Sequence, residues 1–300
     1  MRKPILRFSA GAAVSADRPR SALARAGVRP RKSRGQNFLV QERIAERIVA
    51  LAGLAAGDVV IEIGPGLGVL SVIALRSPLT RLILVELDER LAAGLQTRFG
   101  HDPRVTVLNQ DVLKVDLARL VEAPGPVKVL GNLPFNIAAA ILERLCARSR
   151  SIARMVLMFQ REVADRIRAR PGGREYGALT VFAALYWEAS EYFRVAAGSF
   201  HPRPKVDAAV LVLEARAARL SGVAEAAVRE TIRAAFSAPR KTIRNSLAGG
   251  LALPSVATEK ALVRAGIDPL TRPATLSVED FVRLSRVLYP DNLQAALPGG

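Results

Sequence analysis

Cysteine is nearly missing from this chain: Cys146 is the single copy among 300 residues. That excludes a disulfide framework and a thiolate zinc site. Histidine is almost as scarce, and His101 and His201 alone argue against a histidine-based metal site. No apolar run approaches the roughly 20 residues that span a bilayer, so no membrane segment is expected. Acidic residues are short at the start, where residues 1–36 set one Asp against ten Lys/Arg, net +9. The same stretch has no continuous apolar core, which argues against a secretory signal. No internal repeat is present.

What the chain does have is apolar content and positive charge. Half of its residues are hydrophobic, enough for a sizeable core in one large or two modest domains. The net charge of +17 points to a polyanionic partner, nucleic acid before membrane. A GC-rich genome that favours Arg is the plainer source of the same excess. Residues 1–30 read as a basic, disordered extension. A mitochondrial transit peptide, an arm lying on nucleic acid and a start assigned too far upstream all fit that composition.

From Gln41 the pattern becomes periodic. Gln41 to Ala52 has helical spacing, and Val59–Ile63 is a β-branched strand. Val69 to Arg76 reads as helix, Arg81–Glu86 as strand, and Glu89 to Phe99 as a helix capped by Asp88. Arg104–Leu108, Val127–Leu130 and Ala153–Phe159 are three more strands. Helices are expected over Ile137–Cys146, Arg161–Arg170 and Tyr176–Leu185. Ser190–Val195 and Val206–Glu214 suggest a closing antiparallel pair. Such alternation predicts an α/β, doubly wound, Rossmann-like domain over residues 31–216. After Ala215 no strand candidate remains. Val223–Phe236, Lys241–Leu247, Ser255–Ala265 and Ser277–Leu288 predict a small all-helical domain over 217–300.

Two stretches carry chemistry. The first, Glu62 to Gly68, is a glycine-rich turn between strand and helix, spaced G-x-G-x-G. That differs from the G-x-G-x-x-G that cradles a pyrophosphate. Glu86 ends the next strand, where a carboxylate can hold two ribose hydroxyls. Asp111 ends the third, where it can accept from an adenine amine. The three in register predict an S-adenosylmethionine site. The second stretch, Asn132-Leu133-Pro134-Phe135, follows an apolar strand, at the edge where open α/β sheets put their chemistry. Pro134 biases Leu133 toward an extended backbone, which leaves its carbonyl free to accept. Asn132 adds a side-chain oxygen and Phe135 a flat face. Two acceptors and a plate suit a planar group with an exocyclic amine, such as adenine. A simple turn, with Asn as cap and Phe as core, has the same sequence.

In these residues the chain resembles the small-subunit ribosomal RNA adenine N6-dimethyltransferases, from about Arg31 to Tyr289. Asn132 to Phe135 is similar to the family's catalytic motif. Gly35 to Leu39 resembles its opening motif, which implies that Asn37 and Leu39 contact the donor. Gly64, Glu86, Asp111 and Asn132 fall at further donor positions. Gln160 to Val163, Tyr176-Gly177 and Phe200 to Asp207 resemble other family signatures. Phe236 to Asn245 resembles the basic motif of the helical domain. The departures are Pro239, where the family often carries an arginine, and Ile137-Ala138-Ala139, where it is richer in hydroxyls. The long basic arm is not a general family feature.

The resemblance implies dimethylation of N6 on two adjacent adenines, with S-adenosylmethionine as donor and no metal. The implied partner is small-subunit ribosomal RNA in the immature subunit, met by a monomer in the cytoplasm, or in the mitochondrion if the arm is a transit peptide. Arg203 and Lys205, on a proline-framed loop, and Arg240, Lys241 and Arg244, opening a helix, are the expected RNA contacts. Cations at a helix start oppose its dipole, which favours an external anion. Three rivals share parts of this pattern: a macrolide-resistance methyltransferase of the large subunit, a non-catalytic assembly or transcription factor, and a nicotinamide oxidoreductase. The basic motif, the undegraded donor site and the glycine spacing count against them in turn.

Overall fold

The structure, a computed structural model, describes residues 30, 35–122, 125–216 and 225–290. The expected basic extension falls almost wholly outside that set. So does the start of the expected helical domain, since residues 217–224 are not described.

Nine strands form in chain order: β1 (Phe38–Leu39), β2 (Val59–Ile63), β3 (Arg81–Glu86), β4 (Val105–Asn109), β5 (Val127–Asn132), β6 (Ile152–Gln160), β7 (Trp187–Val195), β8 (Phe200–His201) and β9 (Ala208–Ala215). Seven make one sheet, in the order β4-β3-β2-β5-β6-β9-β7. The first five in that order are parallel, and β9 pairs antiparallel with both β6 and β7. The central strands are apolar on both faces, and all five residues of β2 are buried. Helices must therefore cover both faces.

One face is covered by α1 (Glu42–Ala52), α2 (Val69–Ala74) and α3 (Glu89–Phe99), which pack on Val60, Leu82, Leu84 and Leu130. The other is covered by α4 (Leu117–Val121), α5 (Ala138–Cys146), α6 (Arg161–Ile167) and α7 (Ala178–Tyr186), which pack on Ile61, Ile63 and Val129. Four more helices follow: α8 (Glu225–Ala235), α9 (Ile243–Gly250), α10 (Ser255–Arg264) and α11 (Val278–Leu288). Their buried residues, Val228, Ile232, Leu247, Leu262 and Phe281 among them, join the same apolar cluster as the second face.

The expected strands and helices are all present, with ends shifted by a few residues. The helix expected to reach Arg170 stops at Ile167. The strand expected to end at Leu130 runs to Asn132, because Gly131 and Asn132 still pair with Leu157 and Met158 of β6. The short α4 and the β1–β8 pair were not expected. That pair sets Phe38 opposite His201 and Leu39 opposite Phe200, pinning the start of the described chain beside the sheet.

The sheet also fixes where a ligand can sit. From β2 the chain winds outward through β3 and β4, then returns to place β5 on the other side of β2. Between β2 and β5 lies the switch point, whose carboxyl-end crevice is the usual binding place in such sheets. In register, Ile63 lies opposite Gly131. Gly64, the first residue past β2, thus stands beside Asn132, the last residue of β5.

Candidate active site

A cleft opens at that switch point. Its walls come from segment 35–39, the turn 64–67, Glu86 to Asp88, and Asn132 to Phe135. Four separate stretches of sequence thus converge on one crevice.

The glycine turn has its backbone aimed by left-handed residues. Gly64, Gly66 and Gly68 have φ of 66°, 56° and 73°, which L side chains rarely adopt. Space matters as well: a Cβ on Gly66 would lie 3.0 Å from the Phe38 ring. Glu86, 6% exposed, closes the turn from the neighbouring strand. Its Oε2 accepts from Gly66 N at 3.0 Å and its Oε1 from Asp88 N at 2.9 Å. Burial raises its pKa, against the lowering pull of those two backbone bonds. Each oxygen keeps a further lone pair for a ligand hydroxyl. Asp88 is the expected cap of α3, accepting from Arg90 N at 3.1 Å and Leu91 N at 3.4 Å.

Glu62 sits deeper. It is 1% exposed, and Ser71 Oγ donates to its Oε2 at 2.6 Å. Burial outweighs that bond and lifts the carboxyl to about 7. Its place in the glycine motif was legible, but this environment was not.

On the acceptor side, Asn132 Nδ2 donates to the Asn37 carbonyl at 2.8 Å. The amide nitrogen is thereby engaged, and the amide oxygen is left as an acceptor. Leu133 is 1% exposed, and its N–H bonds Met158 O at 3.1 Å. No described residue donates to the Leu133 carbonyl. Pro134 O takes the Ile137 N–H at 3.1 Å, which turns the chain into α5. Phe135 is partly buried and lines the cleft.

Segment 35–39 lies across both halves. Gly35, with φ of 61°, leaves no room for a Cβ, which would stand 2.8 Å from Asn136 Oδ1. Asn37 Nδ2 donates to Gly35 O at 3.2 Å, and Leu39 is buried in the cleft wall.

The expected residues do not all converge. Asn37, Leu39, Gly64, Glu86 and Asn132 to Phe135 line the cleft. Asp111 does not. β4 ends two residues before it, and its Oδ1 accepts from Leu113 N at 2.9 Å as a turn cap. Arg203, Lys205, Arg240 and Lys241 are exposed and do not line the cleft. Arg244 is not waiting for an external anion alone, because Glu259 lies 3.0 Å from it on α10. Phe38 and Leu87 line the cleft without having been assigned a role. Leu87, 49% exposed, directly follows Glu86 at the strand end, the one sequence feature that could have singled it out. Cys146 is buried at the back of α5, which pushes its thiol up to about 12 and keeps it inert. Among the described residues no cluster of three metal-ligating side chains occurs.

A family model described as ribosomal RNA adenine dimethylase matches residues 27–289. A ribosomal RNA small subunit methyltransferase A from Moorella thermoacetica is 43% identical over 272 residues, covering 87% of this chain and 93% of the relative. The protein of that name from Geobacter sulfurreducens is 40% identical over 266 residues, covering 87% and 96%. Of the solved structures, a dimethyladenosine transferase from Plasmodium falciparum superposes with a TM-score of 0.71 at 23% identity, over 85% of this chain and 98% of that one. At that identity the likeness shows the fold. The 23S rRNA methyltransferase ErmE gives 0.62 at 28% identity, over 84% and 99%.

Proposed function

This chain belongs to the ribosomal RNA adenine dimethylase family, and from that premise we propose a two-substrate site that straddles β2 and β5. The protein is an S-adenosylmethionine-dependent methyltransferase of adenine in small-subunit ribosomal RNA. Relatives named for the small subunit share 40–43% of their residues with it, against 28% for ErmE, which favours the small over the large subunit as target.

The donor half fits the residues present. Glu86 would hold a pair of hydroxyls with the lone pairs that Gly66 and Asp88 leave free. Gly64, Asn37 and Leu39 would border the rest of the donor, and Asp111 would act from the next turn. Bound there, the donor supplies an electrophilic methyl on a sulfonium, so no metal and no covalent nucleophile is needed.

The acceptor half is Asn132 to Phe135. Adenine N6 is a poor nucleophile because its lone pair is delocalised into the ring. The Asn132 oxygen and the Leu133 carbonyl would take its two N–H bonds and draw the nitrogen toward a tetrahedral, reactive shape. Phe135 would stack on the flipped base. The nitrogen lone pair forms the N–C bond as the C–S bond breaks, and the displaced proton leaves to solvent. Catalysis then rests on positioning and electrostatics.

The observation that carries this reading is the Asn132–Asn37 bond at the switch point, which occupies the amide nitrogen and leaves the oxygen as the end that would meet the target. We further infer action on two adjacent adenines of an immature subunit, by a monomer in the cytoplasm. Among the described residues no helix is long and apolar enough to cross a membrane.

Methyl transfer and donor binding, measured together for wild type and Asn132→Ala, test the site. We expect turnover to fall by about 10²-fold or more, the scale of losing one transition-state hydrogen bond, with donor affinity within a few-fold of wild type. Retained turnover would remove Asn132 from its role.

A further inference from the structure

Exposed cations on this protein fall into two groups. Some are neutralised internally: Arg76 by Glu42 at 3.5 Å and Arg119 by Asp116 at 3.4 Å. Others have no carboxylate partner among the described residues. Arg161, Arg170 and Arg272 are of this second kind and are all exposed. None of the three was singled out as an RNA contact from the sequence.

Hydrogen bonds to main-chain carbonyls join the segments that carry them in sequence. β8 pairs with β1 in the cleft wall, and the 201–207 loop follows directly from it. Arg161 N donates to Asp207 O at 2.9 Å, which seats the start of α6 on that loop. α6 leads to Arg170. Beyond it, Gly172 N donates to Ala274 O at 2.8 Å and Tyr176 Oη to Leu276 O at 2.6 Å. The α6–α7 loop is thus tied to segment 272–276, which carries Arg272. Ile243 N in turn donates to Thr271 O at 2.7 Å, tying that segment to the turn that carries Arg240 and Lys241.

Nearby acids are already engaged. Glu162 pairs with Arg166 at 2.9 Å, Asp207 Oδ1 accepts from Ala197 N at 2.9 Å, and Asp268 Oδ1 accepts from Leu270 N at 2.9 Å. Like charges held on a fixed backbone repel one another unless an anion lies along them. A nucleic-acid backbone, with its regular run of phosphates, is the anion that such a path fits.

We propose that Arg161, Arg170 and Arg272 form the middle of a continuous RNA-phosphate track, running from the cleft rim to the basic turn at Arg240–Lys241. This rests on the reading of the chain as a ribosomal RNA methyltransferase. The track carries no sequence information. It sets the register of the RNA so that the target base meets Asn132.

The test is binding of the full chain to a small-subunit ribosomal RNA transcript across a salt series. The variant is Arg170→Gln/Arg272→Gln, with Arg161→Gln as a second probe. Arg150→Gln, an exposed arginine before β6 at the opposite end of the sheet, is the control. The slope of log affinity against log salt should become shallower by about 1 per cation removed. KM for RNA should rise several-fold, with kcat at saturating RNA, donor affinity and thermal midpoint unchanged. Arg150→Gln should superimpose on wild type. A double variant with wild-type slope and KM overturns the track while leaving the enzyme reading intact. Wild type that binds RNA but transfers no methyl strikes the enzyme reading instead, and the salt slopes still decide the track.

Discussion

Asn132 and Glu62 show the two ways a single residue is set here. Asn132 is oriented by the bond its Nδ2 donates to the Asn37 carbonyl, 95 positions away, which no local pattern announces. Its identity as a candidate was legible only in company: the Asn-Leu-Pro-Phe run alone fits a simple turn as well, and the glycine turn with its two strand-end acids tipped the reading. Its orientation was not. Glu62 was visible only as the first letter of the glycine motif. Its titration depends on complete burial and on Ser71, both of which are tertiary facts. The consequence has a definite sign. With the folded carboxyl near 7 and the ordinary value at 4.5, the folded state holds a proton that the unfolded chain has released. The residue's favourable contribution is therefore full below about pH 4.5 and lost as pH rises through about 7. Measured by denaturant unfolding, wild type should lose stability relative to Glu62→Gln across that window. Parallel stability curves for the two proteins would contradict the assignment.

At the scale of elements, the long strands were legible because Val59–Ile63 is β-branched and interrupted only by Glu62, and Leu82–Val85 is an unbroken apolar run between Arg81 and Glu86. The β1–β8 pair was not, since two residues per strand have no period to read. Yet that pair holds the segment that orients Asn132. Asp111 was placed at a strand end by counting, and the strand stops at Asn109. Gly35 makes the weight of the small element testable. Its φ of 61° strains any L side chain, and a Cβ there would stand 3.2 Å from the Phe135 main-chain nitrogen, so an alanine presses the segment against the catalytic loop. An L side chain in that conformation costs about 1–2 kcal/mol. Gly35→Ala should lower methyl-transfer turnover about tenfold or more while the thermal midpoint drops by only a few degrees. Turnover that falls no further than stability would show that the segment is mere packing.

For the whole molecule, fold class and the order of elements followed from alternation, and the charge of +17 named the partner class. Two things needed the assembled structure. The C-terminal helices share an apolar cluster with one face of the sheet, so the surface proposed to meet RNA is carried on the core that positions the cleft. And Arg244, read as a free cation, pairs with Glu259, fifteen residues on, in the next helix. The account as a whole requires that one chain take a methyl from S-adenosylmethionine and place it on adenine N6 of small-subunit RNA. Tritium-methyl transfer by wild type to immature small subunits, with large subunits and naked RNA alongside and the product digested to nucleosides, measures this directly. The account predicts label in N6-dimethyladenosine from small subunits and little from large ones. No incorporation, or label confined to large subunits, would contradict it.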